Sequence, residues 1–306
     1  MEEADEVARA LKAGDLVIFP TETVYGIAAD AGNARAVARL YEAKGRPAFN
    51  PLIAHVGDLS AAERIAVFDD RARVLAEAFW PGPLTLVAPY RENSGVCDLA
   101  RAGLDTVAVR VPAHPSARAV LAAFGGPVVA PSANRSGRPS PTTYADAGAE
   151  TGAFTVAGLD GGSCAVGLES AVVSLLYGPA RLLRPGAVTR DMIEVLIGPL
   201  AEAEADAKRS PGRQTRHYAP QAPIRLDAVA PAPGEAYLAF GPTPAGPGVF
   251  NLSPASDLAE AAANLFAYLR AADALSPRAI AVATVPETGL GEAINDRLRR
   301  AAGFVG

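Results

Sequence analysis

The sequence predicts an α/β protein built on a mixed sheet, followed by a smaller α/β domain. Three patterns predict it. Stretches with apolar residues at helical spacing alternate irregularly with short apolar runs of strand length. Some of those runs are separated by tight turns rather than helices, which a purely parallel sheet does not allow. The pattern then restarts after a polar, proline-flanked stretch near residues 201–220. At ~100–200 residues per domain, 306 residues are enough for two. The expected division is 1–200, a linker at 201–220, and 221–306.

The elements follow in order. Ala4, Val7, Ala8 and Leu11 stand at i, i+3, i+4, i+7, an amphipathic helix that Gly14 ends. Residues 16–19 form a short apolar strand. A helix over 34–43 has Asn33 as its cap. A strand near 52–56, helices near 61–67 and 71–79, and a strand at 84–89 come next. Residues 107–111 read as a strand, 115–124 as a helix and 128–130 as a buried strand. Runs at 171–177 and 181–183 pair around the turn Gly178-Pro179, and Thr189 caps a helix reaching 197. From 223 onward the pattern is strand, strand, Pro/Gly-rich loop, a helix at 257–272, a strand at 279–283 and a helix at 294–302.

Composition narrows the function classes. Half the residues are apolar and 20% are charged, so the chain is not disordered by composition. A net charge of −5 argues against a general nucleic-acid coat protein, so an anion site must be built from a few placed basic groups. Two cysteines, Cys97 and Cys164, without a CxxC argue against a disulfide framework or a zinc site. The acidic start MEEADE lacks the basic region of a signal peptide, and no apolar run reaches the ~20 residues that span a bilayer. A cytoplasmic protein that does not engage a membrane is the expectation.

Five clusters carry chemistry. Pro20-Thr21-Glu22-Thr23-Val24-Tyr25-Gly26 follows a buried strand, where hydroxyls need partners; a capped turn or a ligand site both fit. Lys44-Gly45-Arg46-Pro47-Ala48-Phe49-Asn50-Pro51-Leu52, followed by His55, joins two cations to a glycine, which suits phosphate oxygens. A basic helix C-terminus favoured by the dipole is the plainer reading. Arg110 interrupts the apolar run Thr106-Val107-Ala108-Val109-Arg110-Val111, so it needs an anion: a structural carboxylate or a substrate one. The loop from Ala130 through Ser132, Asn134, Arg135, Arg138 and Ser140 to Thr142 is dense in hydroxyl, amide and glycine. It is a phosphate cradle or an ordinary polar turn, and it is not a Walker A loop. Gly167-Leu168-Glu169-Ser170 and Leu183-Arg184-Pro185-Gly186 place another serine and another arginine at strand ends, which turn chemistry explains singly. Three histidines, with neither a Ser/His/Asp order nor HExxH, make a hydrolase triad a poor fit.

In this order and spacing the clusters PTETVYG, KGRPAFNPL with His55, TVAVRVP, APSANRSGRPSPT, GLES and LRPG resemble the threonylcarbamoyl-AMP synthase family, whose catalytic unit is YrdC-like. SPGRQTRHYAP at 210–220 and NDRLRRAA at 295–302 resemble the linker and C-terminal domain of its two-domain members. The resemblance implies an open twisted mixed sheet with a concave basic groove, plus a Rossmann-like C-terminal domain. It implies a nucleotidyltransferase that condenses L-threonine, bicarbonate or CO2, and ATP into threonylcarbamoyl-AMP and pyrophosphate for tRNA modification. The implied partners are a threonylcarbamoyl transferase complex and tRNA itself.

Residue by residue, the resemblance assigns Thr23, His55, Arg110, Ala130 and Ser170 to L-threonine. It assigns Lys44, Arg46, Asn50, Thr106, Ser132, Asn134, Ser140, Arg184 and, as a lid, Tyr218 to ATP, with Lys44 and Arg46 at the reacting phosphates. Mg²⁺ is expected on the ATP phosphates, with no all-protein metal cage. Ala171 and Ser174 depart from the family pattern, which has threonine and aspartate there. Two other readings are a carbamoyl-phosphate-handling YrdC-type enzyme, disfavoured by the missing cysteine pairs, and a non-catalytic RNA-binding module, disfavoured by the acidic charge.

Overall fold

A computed structural model describes residues 2–201 and 217–304. The acidic patch Glu202, Glu204 and Asp206 and most of the basic linker run lie outside the described residues.

The chain begins with α1 (Glu2–Lys12), β1 (Val17–Phe19), β2 (Gly26–Asp30), α2 (Ala34–Lys44) and β3 (Ile53–His55). Next come α3 (Leu59–Ile65), α4 (Asp70–Phe79), β4 (Leu84–Pro89), β5 (Thr106–Arg110), α5 (Pro115–Phe124) and β6 (Val128–Val129). Then follow α6 (Tyr144–Thr151), β7 (Ala157–Gly158), β8 (Ala171–Ser174), β9 (Arg181–Arg184) and α7 (Arg190–Ile197). After the linker stand β10 (Ile224–Arg225), β11 (Glu235–Ala239), β12 (Val249–Asn251), α8 (Leu258–Ala274), β13 (Ala279–Val282) and α9 (Leu290–Ala301).

The expected mixed sheet is present. Among the described residues its nine strands run in the order β7-β1-β2-β6-β3-β5-β4-β8-β9. Three of the pairings are parallel (β7 with β1, β3 with β5, β4 with β8) and the rest antiparallel. Local chemistry sets the helix ends as anticipated: the Asn33 side chain accepts from the Arg35 and Ala36 amides, and Thr189 caps α7. Gly45 ends α2 in the left-handed conformation. Four elements are additions to the sequence reading. β2 is an alanine-rich run without a β signature, α6 buries only Ala147 and Thr151 and has a weak stripe, β7 is two residues long, and β12 lies inside the loop expected between strand and helix.

Helices cover the sheet unequally. On one face the largest core packs residues of α2, α3, α4, α6 and α7 against β1 to β5 and β8. On the other, α1 and α5 pack against each other and cover β1, β2 and β6 through Val7, Leu11, Val120 and Leu121. Beyond them this second face carries a small apolar patch, Val87, Ala108, Val172 and Leu183 with Ile53, which includes no helix residue. That stretch of sheet is where the functional residues gather.

The second unit is a four-stranded, wholly parallel sheet, β10-β13-β11-β12, packed with α8 and α9. Its core is shared: Val24 and Leu168 of the nine-stranded unit and Tyr218 of the linker are buried in the same cluster as Leu265, Phe266 and Leu269.

Candidate functional site

Strand register brings the first two functional side chains together. β3 and β5 run parallel with His55 opposite Arg110, so both point to the uncovered face. Ala108 and Thr106 share that face two and four residues before Arg110. Beside them the bridge between Gly26 and Ser132 joins the 20–26 turn to the loop after β6. Ser170, directly before β8, and Arg184, the last residue of β9, come from the far side: the Arg184 guanidinium donates to the Ser170 carbonyl (3.0 Å) and to its Oγ (3.1 Å). Ser170 Oγ also lies 2.7 Å from Thr85 Oγ1.

These segments enclose a cleft lined by Thr23, Arg46, His55, Arg110, Ser132 and Ser170, among others. Ala130, Arg184 and Tyr218 also line it, so nine of the residues singled out in the sequence meet in one place. Glu169 and His217 complete the wall and were not foreseen. Glu169 sat inside a quoted motif and His217 directly before Tyr218, so the signal was adjacency to residues already chosen.

The remaining candidates stand behind the wall. Lys44 is buried, and its ammonium donates to the carbonyls of Ser132 and of Asn134 (2.6 Å). Burial, with Arg46 nearby, holds its pKa well below the ordinary lysine value. Asn134 donates through its amide nitrogen to the carbonyls of Arg135 (2.8 Å) and Arg138 (2.9 Å), folding the loop on itself. Ser140 Oγ donates to Glu169. The Asn50 carbonyl accepts from Arg46 Nε (3.2 Å) and from the Tyr41 hydroxyl (2.9 Å). Thr106 is buried four residues down β5 from Arg110, roughly 13 Å along the strand. Of the two departures from the family pattern, Ala171 is fully buried against Gly186, where a Cβ on the glycine would lie 2.2 Å from the Ala171 nitrogen. Ser174 ends β8 opposite Arg181 and does not border the cleft.

The electrostatics are organised by arginine. Arg110 donates to Glu22 Oε1 (2.5 Å), Thr23 Oγ1 (2.9 Å) and the Gly82 carbonyl (3.1 Å). The structural ion pair is thus real, and two of the five guanidinium N–H groups have no hydrogen bond among these. Burial alone would raise the Glu22 carboxyl, but Arg110 and backbone amides bring it below the usual carboxylate range. Burial lowers the Arg46 pKa to about 10. Burial, reinforced by Arg110, pushes His55 down to about 3, so its imidazole is neutral at physiological pH.

Three cleft-lining side chains carry buried polar atoms without a hydrogen-bond partner: His55 Nδ1, His217 Nδ1 and the Tyr218 hydroxyl. Buried polar groups are otherwise nearly always paired, so these mark where a ligand would complete the bonding. The enclosed space is about 50 Å³, against ~300–1,000 Å³ for typical ligand pockets. His217 and Tyr218, both buried and with ring centroids 3.9 Å apart, line it from the linker. Tyr218 is held there with a left-handed backbone, φ 63°, a conformation that costs a non-glycine residue ~1–3 kcal/mol unless its surroundings impose it. Among the described residues no group of three or more His, Cys, Asp or Glu side chains is placed to hold a metal ion, and no helix is long and apolar enough to cross a membrane.

Comparison with known proteins agrees with this architecture. Residues 9–186 match the Sua5/YciO/YrdC family profile, described as telomere recombination, and residues 188–303 match the C-terminal domain of threonylcarbamoyl-AMP synthase. The chain is 37% identical to the threonylcarbamoyl-AMP synthase of Bacillus subtilis, over 97% of this chain and 92% of that one. It is 39% identical to that of Pyrococcus abyssi, over 96% and 92%. The crystal structure of P. abyssi Sua5 complexed with L-threonine superposes with a TM-score of 0.91 at 37% identity, covering 98% of this chain and 94% of that one. At that identity and coverage over both units, the chain belongs to the threonylcarbamoyl-AMP synthase family, in its two-domain form.

Proposed function

We propose that this chain is an L-threonylcarbamoyladenylate synthase, a nucleotidyltransferase acting on L-threonine, bicarbonate or CO2, and ATP. The observation that carries the reading is the cleft itself. Arg46, Arg110 and Arg184 converge on it from three separate segments, with Lys44 behind Ser132, while three of its side chains hold unpaired polar atoms. Such a wall suits a substrate with several anionic groups. Family membership, and a relative crystallised with L-threonine, support that substrate.

In this reading Arg110, with Thr23, His55, Ser170 and the backbone at Ala130, receives L-threonine. The free guanidinium N–H groups of Arg110 take the α-carboxylate. Neutral His55 offers its unpaired Nδ1 as a hydrogen-bonding group and adds no charge. Arg46, Ser132 and Arg184 face ATP, and Lys44, Asn134, Ser140, Asn50 and Thr106 shape the segments that do so. The new carbamate carboxylate of N-carboxythreonine attacks the α-phosphorus. The bond to the bridging oxygen breaks, and pyrophosphate leaves. The nucleophile belongs to the substrate, so the protein supplies position and charge stabilisation rather than a nucleophile.

Glu169, which lines the cleft, and Glu22, which pairs with the cleft residue Arg110, are each committed to an arginine. They do not form a metal cage, so Mg²⁺ would arrive on the ATP phosphates. The cleft as it stands is far smaller than a nucleotide, so residues that line it, the linker's His217 and Tyr218 among them, would have to move for ATP to enter. The product would pass to a threonylcarbamoyl transferase that acts on tRNA.

The test is pyrophosphate release from ATP and Mg²⁺, with L-threonine and bicarbonate supplied together or singly. Release is expected only with both. Release without either, or none from folded protein, would sink the proposal.

A further inference from the structure

We propose that the four-stranded unit is part of the site, with Arg297 of α9 as the positioning residue that locks residues 169–170 and 184–185 into their cleft geometry. This rests on the reading of the cleft as the ATP and threonine site.

The starting point is an anomaly in α9. Its buried face is Ala293, Ile294, Leu298 and Ala301, the pattern of a helix covering its own sheet. In the middle of that face stands Arg297, with no solvent exposure. A guanidinium there is costly unless it is fully paired, and among the described residues of its own unit only Asp296 (2.9 Å) pairs with it. Its other partners belong to the nine-stranded unit. Nε donates to Glu169 Oε2 (3.0 Å), Nη2 to the Glu169 carbonyl (3.3 Å) and Nη1 to the Pro185 carbonyl (2.9 Å). One guanidinium therefore ties together the two strand ends that present Ser170 and Arg184. Glu169 passes the constraint on by accepting from Ser140 in the loop after β6. The guanidinium also lies 5.5 Å from the centre of the Tyr218 ring.

Two further contacts show that the units are fitted to each other at this place. Gly167, with φ +72°, sits so close to α8 that a Cβ would lie 2.5 Å from Ala263 Cα. A second arginine repeats the device: Arg270 of α8 donates to Glu150 Oε1 (3.0 Å) and to the Pro139 carbonyl. Glu150 in turn accepts from the Arg135 amide (3.2 Å) and pairs with Arg138 (3.4 Å). The two arginines thus hold from one side three of the segments that build the cleft.

Glu169 must be ionised to hold this arrangement. Burial alone would raise its carboxyl, and Arg297, Arg184 and the Ser140 hydroxyl bring it below the usual range. The charged and titratable groups facing it are Arg297 and Asp296 from α9, Arg184 from β9, Lys44 from α2 and Tyr218 from the linker. Without Arg297 the Glu169 carboxyl loses the largest influence that lowers its pKa, and on protonation the Ser140 hydroxyl loses its charge-assisted bond.

The experiment uses the full chain and the variants R297Q, R297K and R299A. Arg299 sits on the same helix with an exposed partner, Glu287. Pyrophosphate release is measured against ATP and against pH, and amide exchange is followed at 167–170 and 184–186. For R297Q we expect kcat/KM for ATP at least tenfold lower, an acid limb moved up by a pH unit or more, and faster exchange in both segments. R297K should restore the acid limb without the full rate, and R299A should match the wild type. A folded R297Q with unchanged kcat/KM, acid limb and exchange overturns the inference. If R297Q does not fold, R270Q decides: a three- to tenfold loss in kcat/KM for ATP is expected, and wild-type kinetics overturns the inference. Wild type without ATP turnover defeats the functional reading instead, while the exchange measurement still decides the positioning role.

Discussion

The two units bury charge in opposite ways. In the nine-stranded unit Arg110, Glu169 and Arg184 are buried and line a single cleft, with Lys44 buried behind its wall. In the four-stranded unit the buried polar residues among those described are Ser253 and Arg297, and Arg297 points out of its own core into the other unit. One sheet arranges its cations around a place for a ligand; the other spends its one fully buried charge on holding that place together. A buried charge is therefore informative here through what it faces rather than through its burial alone.

Four substitutions sharpen the contrast. The largest effect belongs to the interior of the second unit. Leu269 is fully buried there and does not itself line the cleft, and Leu269→Ala should lower unfolding stability by ~2–5 kcal/mol. The KM values of the protein that remains folded should stay near wild type; a large KM change at unchanged stability would break the comparison.

Arg110→Ala should do the reverse. It removes a charge-assisted contact of ~1.5–3 kcal/mol, which should weaken threonine binding by roughly 10- to 150-fold and leave ATP binding close to wild type. Calorimetric titration with each substrate reads the difference, and equal losses for both would refute the division of the cleft. Lys44→Ala should act mainly on ATP.

The smallest effect is on pH. His55 is neutral when folded, with its pKa lowered to about 3, and His217 is likewise lowered well below its ordinary value. The unfolded chain therefore binds more protons than the folded one below about pH 6.5. Stability should fall as pH drops from there, by at most ~1.4 kcal/mol per pH unit for each histidine. His55→Asn should flatten the slope of denaturant stability between pH 6.5 and 5. An unchanged slope would mean that His55 titrates normally.

Much of the fold was legible because it depends on local chemistry. The helix over 34–44 announced itself through Asn33 and its apolar stripe, and the paired strands after 170 through their turn. β2 and α6 were not legible: alanine carries little period, and these segments are ordered by the neighbours they pack against. The candidate site was legible as a set of strand-end motifs, because hydroxyls and cations beside apolar runs need partners. Thr106 and Asn50 show where that reasoning stops. Both lie in the right segments, and whether a side chain borders the cleft or stands behind it depends on how the strand ends converge.

By itself the sequence determined the α/β class, most of the elements, the motif set and the resemblance, because periodicity, caps and turn residues act over a few positions. Only the tertiary structure decided that Arg110 is already paired with Glu22, that Tyr218 sits in a shared core, and that Arg297 reaches Glu169 across 128 residues of chain. Those facts depend on which segments the two sheets bring within hydrogen-bonding distance, and no spacing along the chain encodes that distance.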